Sequence, residues 1–318
     1  MSETHYDVVG GDSIQYGPFN LDELRSLVAE GRVNDASRAR VAGSEEDWTT
    51  VGKLLQKSSD LRPYIEFRES VLGSECRLDL GRAFSDGFSL FMSRPGLLVG
   101  VNLALFVLLV SASMFPYIGF LIRLGLEVPL IGGYFILVLN LIRNNPVQFS
   151  DLFEGFNRNY GTLLLTGIVQ MFIGFCIAVP GVILIVMGGV NSGRRVGTLQ
   201  TEEDWGEFFF GFATNPLTIS GVLIWIVLAW TASILLTFVV PLVADRQFGF
   251  FESFGLAIQV AKRNFVTLIA YSIVVTIIII VSVIPLGLGL LVSVPILYCV
   301  VGQAYEQLFT PESNPSES

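Results

Sequence analysis

The chain contains one histidine, His5, and that removes most imidazole chemistry: neither an HExxH zinc pair nor a histidine-based triad or proton relay can be built. Cys76, Cys176 and Cys299 stand far apart. They supply neither a CxxC metal site nor a disulfide framework, and they read as small packing residues. No G-x-x-x-x-G-K-[ST] phosphate loop occurs, and the glycine-rich PLGLGL at 285–290 sits between apolar runs rather than after a strand, against a dinucleotide fingerprint. The one spacing suited to electrostatic work is Arg123 with Glu127, four apart in an apolar stretch. On one helix face they neutralise each other, either as an intramembrane pair marking a transport path or as an interfacial salt bridge. No catalytic residue, cofactor or metal ligand set is expected.

The elements that would position any site follow from composition. Of 318 residues 52% are hydrophobic and only 15% charged, and the mean hydropathy is +0.63. A soluble globular protein of this length is far more polar, so the chain is expected to be a membrane protein. A formal net charge of −9 and a pI near 4.7, with no basic stripe, argue against a nucleic-acid partner. Charges crowd residues 1–80 and nearly vanish from 96–302. A positively charged n-region with an apolar h-region is not seen at the N-terminus, so the first apolar run is expected to direct insertion.

A spanning helix needs roughly 20 apolar residues. Candidate spans lie at 96–114, 117–142, 161–187, 217–243, 265–283 and 286–302. The second is complete only if it begins near Tyr117 and tolerates Arg123 and Glu127, so a five-span reading stays open beside the six-span one. Placing the head inside puts Arg77, Arg82, Arg94, Arg143, Arg158, Arg246, Lys262 and Arg263 on the cytoplasmic side and leaves Arg123, Arg194 and Arg195 outside. Both termini are then cytoplasmic, in the plasma (inner) membrane of a bacterium. The tail at 310–318 is polar and has no reason to fold.

One phrase recurs: RNYGTLLL at 158–165, TNPLTISG at 214–221 and RNFVTLIA at 263–270 share Asn-x-x-Thr followed by an aliphatic residue. Each copy opens a span, where the first amides leave water, so Asn159, Asn215 and Asn264 are expected to cap the spanning helices. Acidic-small-Phe triplets precede spans as well: DGF at 86–88, EGF at 154–156 and ESF at 252–254. Their Phe-rich surroundings predict amphipathic helices in the membrane interface. The body thus reads as loosely repeated units of interfacial helix followed by span.

The first 57 residues form a different object. HYDVV, then GGDS, then IQYGPF predict a strand pair punctuated by Gly and Pro. NLDELRSLVAEG predicts a helix capped by Asn20 with Glu23 and closed by Gly31, with Phe19 and Leu24 at staple positions, and SRARVAG a further short strand. Tyr6, YGPF at 16–19, LDELRSLVAEGRV at 21–33 and Trp48 resemble the bacterial variant of the GYF domain, a small α+β adaptor module. The resemblance implies recognition of a proline-rich or extended protein segment on an aromatic surface built from Tyr6, Tyr16, Gly17, Pro18, Phe19 and Trp48. Gly31-Arg32-Val33 stands where the eukaryotic domain has Gly-Tyr-Phe. For these aromatics two readings stand, an exposed peptide site and the core of a mini-domain. Residues 58–80 are expected to be a linker or short juxtamembrane helix.

PLIGG at 129–133, DLFEGF at 151–156 and VPGVIL at 179–184 resemble a group of uncharacterised bacterial six-helix membrane proteins, among them the membrane domain attached to some glycerophosphodiester phosphodiesterases. The expectation is therefore a small α+β GYF-like domain (1–57), a linker (58–80) and an all-α polytopic membrane bundle with interfacial amphipathic helices (81–309). The function expected is a non-enzymatic, membrane-anchored adaptor or assembly factor in contact with lipids. The rival is a transporter or lipid-handling protein with the head as a regulatory module.

Overall fold

The computed structural model describes residues 5–10, 14–44, 48–74, 77–115, 119–191, 202–285 and 287–310. Arg194, Arg195, Cys76, Tyr117 and the tail beyond Thr310 lie outside them. The chain divides into two compact units, Met1–Gly73 and Ser74–Ser318.

In the first unit, β1 (Tyr6–Val9), β2 (Gln15–Phe19), β3 (Arg38–Val41) and β4 (Thr49–Thr50) form an antiparallel sheet in the order β2-β1-β3-β4. Helix α1 (Leu21–Ala29) begins with a reciprocal cap: the Glu23 amide donates to Asn20 Oδ1 and the Asn20 amide to Glu23 Oε2, both at 2.8 Å. The core consists of Val8, Leu24, Ala39 and Val51, with Tyr6, Phe19, Val28, Leu54 and Leu55 packed around it. Val51, Leu54 and Leu55 come from α2 (Val51–Gly73), one continuous helix with Pro63 inside it. The expected boundary at 57 therefore falls within a helix that the head's own core anchors. Pro63 reads in sequence as a break because it lacks the amide for an i→i−4 bond, yet the helix runs on past it.

The second unit is helical among its described residues: α3 (Leu80–Ser93), α4 (Pro95–Ser113), α5 (Gly119–Ile142), a 3-10 turn (Phe149–Phe153) leading into α6 (Glu154–Arg158), α7 (Tyr160–Asn191), α8 (Glu202–Thr214), α9 (Pro216–Leu236), α10 (Val239–Arg246), α11 (Phe250–Arg263), α12 (Phe265–Val283) and α13 (Leu290–Phe309). Five stretches among the described residues are long and apolar enough to cross a membrane: Pro95–Ser113, Ile122–Ile142, Tyr160–Val190, Pro216–Arg246 and Phe265–Val283. This is a multi-pass membrane protein with one such stretch fewer than the six expected. The missing one, expected at 286–302, overlaps α13, whose C-terminal part carries Gln303, Glu306 and Gln307 and buries Cys299, Val300, Ala304, Tyr305, Leu308 and Phe309 in the protein. A helix sheathed by its neighbours has no need of uniformly apolar sequence.

Amphipathic elements precede four spans, as the Phe-rich segments predict. Helix α3 turns Ala83, Gly87 and Phe91 inward, at i, i+4 and i+8, and α11 buries Phe250, Ser253, Ala257 and Val260. The small residue of each acidic-small-Phe triplet is the one buried: Gly87, Gly155 and Ser253. A Cβ on Gly87 would come within 2.8 Å of Val300 Cα on α13, and one on Gly155 would overlap the Pro129 carbonyl oxygen on α5. The triplet marks where an interfacial helix meets a long one backbone to backbone.

The phrases that carry the membrane-body resemblance are closures of the same kind. Gly133 of PLIGG has no room for a Cβ beneath the Leu152 carbonyl of DLFEGF, while Gly155 of DLFEGF has none beneath Pro129 of PLIGG. Gly181, in VPGVIL, faces Gly221 on α9, each lying so that a Cβ would sit within 2.9 Å of the other's carbonyl oxygen.

The capping expectation holds for one asparagine of three. Asn215 Oδ1 accepts from the Leu217 amide at 2.9 Å and caps α9. Asn264 instead accepts from the Leu78 amide at 3.2 Å and donates to the Val260 carbonyl at 3.2 Å, and Asn159 Nδ2 donates to the Phe248 carbonyl at 3.5 Å. Both lie between elements distant in sequence, and tertiary partners take the polar group that local chemistry would have used as a cap.

Candidate functional site

In the head, the sheet separates the residues expected to form one aromatic surface. Tyr6 and Phe19 pair across β1 and β2 and pack against the core. Tyr16, opposite Val8, is 46% exposed on β2, an edge strand. Gly17 has φ +137°, and a Cβ there would meet the Tyr6 carbonyl oxygen at 2.8 Å, so this position requires glycine; Pro18 beside it is exposed. Trp48 stacks under the Arg40 guanidinium, 4.6 Å from the ring centroid. Arg40 alternates with the fully buried Ala39 on β3, so it and Trp48 occupy the face of the sheet away from the core. Tyr16 and Trp48 thus stand at opposite edges and on opposite faces.

In the membrane unit, Arg123 donates through Nε to Glu127 Oε2 at 2.9 Å along α5. Both side chains are over a third exposed, so the pair is a self-neutralised feature of the bundle surface. Cys299 is buried in the core of the bundle as expected of a packing residue, whereas Cys176 is exposed on α7. Among the described residues no group of three His, Cys, Asp or Glu is placed to hold a metal ion.

A second charged cluster escaped the sequence reading. Just past α5, Arg143 reaches α10 and α13 together: Nη1 and Nη2 donate to the two oxygens of Asp245 at 2.6 and 2.9 Å, and Nε donates to Glu306 Oε1 at 2.7 Å. Tyr305 Oη donates to Asp245 Oδ2 at 2.9 Å, and Thr310 Oγ1 to Glu306 Oε2 at 2.6 Å. Hydrogen bonding to Asp245 raises the Arg143 pKa further above its ordinary value, and burial with the Asp245 charge raises that of Tyr305. The cluster ties the end of α5 to α10 and α13 through charge-assisted hydrogen bonds. Its members are 102 and 163 residues apart in sequence, and no local spacing announces them.

Between α5, α9, α12 and α13 lies a cavity of about 450 Å³. Its walls are apolar (Phe135, Ile234, Val275, Leu297 and others), interrupted by Ser233, Thr237, Ser272, Thr276, Tyr271 and Tyr298 and by the indole of Trp230, with no carboxylate or amine in the lining. The lining runs from Leu268 to Ile279 along α12, about 16 Å of helix at 1.5 Å per residue. That is half the hydrocarbon thickness of a bilayer. The hydroxylated positions could have been picked out in the sequence only by knowing which faces of three helices converge. No family model, curated protein or solved structure matches this chain.

Proposed function

We propose that the chain is a membrane-anchored adaptor or assembly factor, in which the α+β head captures an extended protein segment and the helical body holds it at a bacterial inner membrane. The observation that carries this reading is β2. It is the edge of a sheet with a core of its own, its first four residues are exposed, and Ile14 and Tyr16 present 55% and 46% of their surface to solvent. An exposed edge offers backbone donors and acceptors to an incoming strand, and neighbouring side chains supply the selectivity. The GYF-like resemblance points to the same class of ligand, and we take the contact to lie along the Tyr16 edge because Tyr16 and Trp48 stand on different faces of the sheet.

The test is an NMR titration of residues 1–73, the whole compact unit including α2, with proline-rich and extended peptides. Saturable shifts along Gln15–Phe19, with affinity about tenfold weaker in Tyr16→Ala (~1.4 kcal/mol), are expected, and the Trp48 indole should stay still. Silence from a well-folded unit would sink the adaptor reading. The cavity in the body favours a second reading, a lipid-handling protein with the head as its regulator.

A further inference from the structure

The hydroxyls that line the cavity fall into two kinds. Ser233, Thr237, Ser272 and Thr276 each donate to a carbonyl of their own helix three or four residues back, at 2.7 Å, and so expose no free donor. Tyr271 and Tyr298 differ. Their rings are fixed, Tyr271 against Phe84 at 5.8 Å and Tyr298 against Tyr134 at 4.3 Å, yet among the described residues neither phenol makes a hydrogen bond. A tyrosine buried in protein normally finds a partner for its hydroxyl. With the indole N–H of Trp230, which likewise makes no hydrogen bond among the described residues, the two phenols are the donors left over in a cavity whose other hydroxyls are satisfied.

From this we infer that the cavity is a lipid site, taking one acyl chain of a bilayer glycerolipid with its ester carbonyl accepting from Tyr271 or Tyr298. The inference rests on the second reading above and gives it a ligand. The volume lies in the range of roughly 300–1,000 Å³ usual for small-molecule sites. A lining without carboxylate or amine excludes a charged headgroup from the interior and admits only the chain and an uncharged acceptor. Two of the walls belong to α9 and α12, membrane-crossing helices with most of their surface turned outward, so a chain can enter sideways from the bilayer without passing through water. Tyr271 lies six residues, about 9 Å, into α12, nearer the end where that helix enters the bilayer than its far end.

The test uses the full-length protein reconstituted in vesicles of phosphatidylethanolamine and phosphatidylglycerol doped with a phospholipid carrying a diazirine in its acyl chain. After irradiation and digestion, label should be enriched several-fold at the lining of α12 and α13, around Val275 and Val301, over the exposed Phe172 and Phe175 of α7. Ester-linked phospholipid should compete with the label about fivefold better than its ether-linked counterpart, and that preference should vanish in Tyr271→Phe/Tyr298→Phe, a near-isosteric pair that keeps the packing. Ser233→Trp should abolish the enrichment by filling the cavity, with monodisperse elution as the check on folding.

Label spread evenly over all exposed helices would overturn both the site and the lipid-handling reading. Enrichment with no preference for ester over ether, or a preference that persists without the phenols, would overturn the carbonyl assignment and leave lipid handling standing. Displacement by an isoprenoid quinone but not by phospholipid would overturn the glycerolipid.

Discussion

Gly133 and Gly155 show how much a single missing atom decides here. Each lies against the other segment's carbonyl oxygen, so that α5 and the turn before α7 meet with no side chain between them. Adding a methyl group at Gly133 leaves no space that a flexible neighbour could yield, because the obstacle is backbone. Gly133→Ala should therefore destabilise the body by about 1–3 kcal/mol, the usual cost of overpacking. Thermal unfolding in detergent should show this, with Gly161→Ala, where a Cβ meets nothing within 4 Å, as the neutral control. An unchanged Gly133→Ala would mean the two segments can part without loss. Asn264 belongs to the same scale: its side chain bridges Leu78 and Val260, so Asn264→Asp, which removes the donor to the Val260 carbonyl, should cost more than the same change at the simple cap Asn215.

Among elements, the ties at one end of the bundle matter most. Arg143 binds α5 to α10 and α13, and Asp245 and Glu306 keep only 10% and 15% of their side-chain surface exposed. Removing one partner of a fully buried pair leaves the other uncompensated and costs about 3–5 kcal/mol. Arg143 retains 34% exposure and its bond to Glu306, so Asp245→Asn should cost less than that, read as a drop in the detergent midpoint. Arg143→Met/Asp245→Leu/Glu306→Leu should restore most of that loss if the cluster is only a tie. Failure of this apolar triple to recover would mean that Arg246, 3.2 Å from Asp245, or the Tyr305 hydroxyl depends on the carboxylate as well. The interfacial helices are held by parallel means, since the Asp79 amide at the start of α3 donates to Gln307 on α13 at 2.9 Å.

At the scale of the molecule, the path of α13 bears on sidedness. The start of α12 and the end of α13 meet the successive residues Leu78 and Asp79, while the end of α12 and the start of α13 touch through Ser282 and Gly289. The two helices are antiparallel over some 30 Å, at 20 residues for α13. Although only five stretches are apolar enough to face lipid throughout, α13 returns the chain to the end where α12 began. That end also gathers Arg143, Arg246, Lys262 and Arg263, and from the positive-inside rule we propose that it faces the cytoplasm. Single-cysteine probes at residues 150 and 312 should resist a membrane-impermeant reagent added from outside, and a probe at 192 should react. Labelling at 312 with protection at 150 would mean that α13 does not complete its passage.

Composition and periodicity alone determined that the chain belongs to a bilayer, that a small polar head precedes it, and that amphipathic segments lead into spans, because each follows from transfer free energy summed over contiguous residues. The reciprocal cap of α1 was legible for the same reason, all its partners lying within four residues. Tertiary structure alone decided that two of three span-opening asparagines bridge rather than cap, that α2 runs through the expected linker, and that α13 tolerates polar residues under cover. It alone brought Arg143 to Asp245 and Glu306, set Tyr16 and Trp48 on different faces, and left two phenols facing one cavity. These depend on which surfaces meet, and no term local in sequence encodes a meeting between residues more than a hundred positions apart.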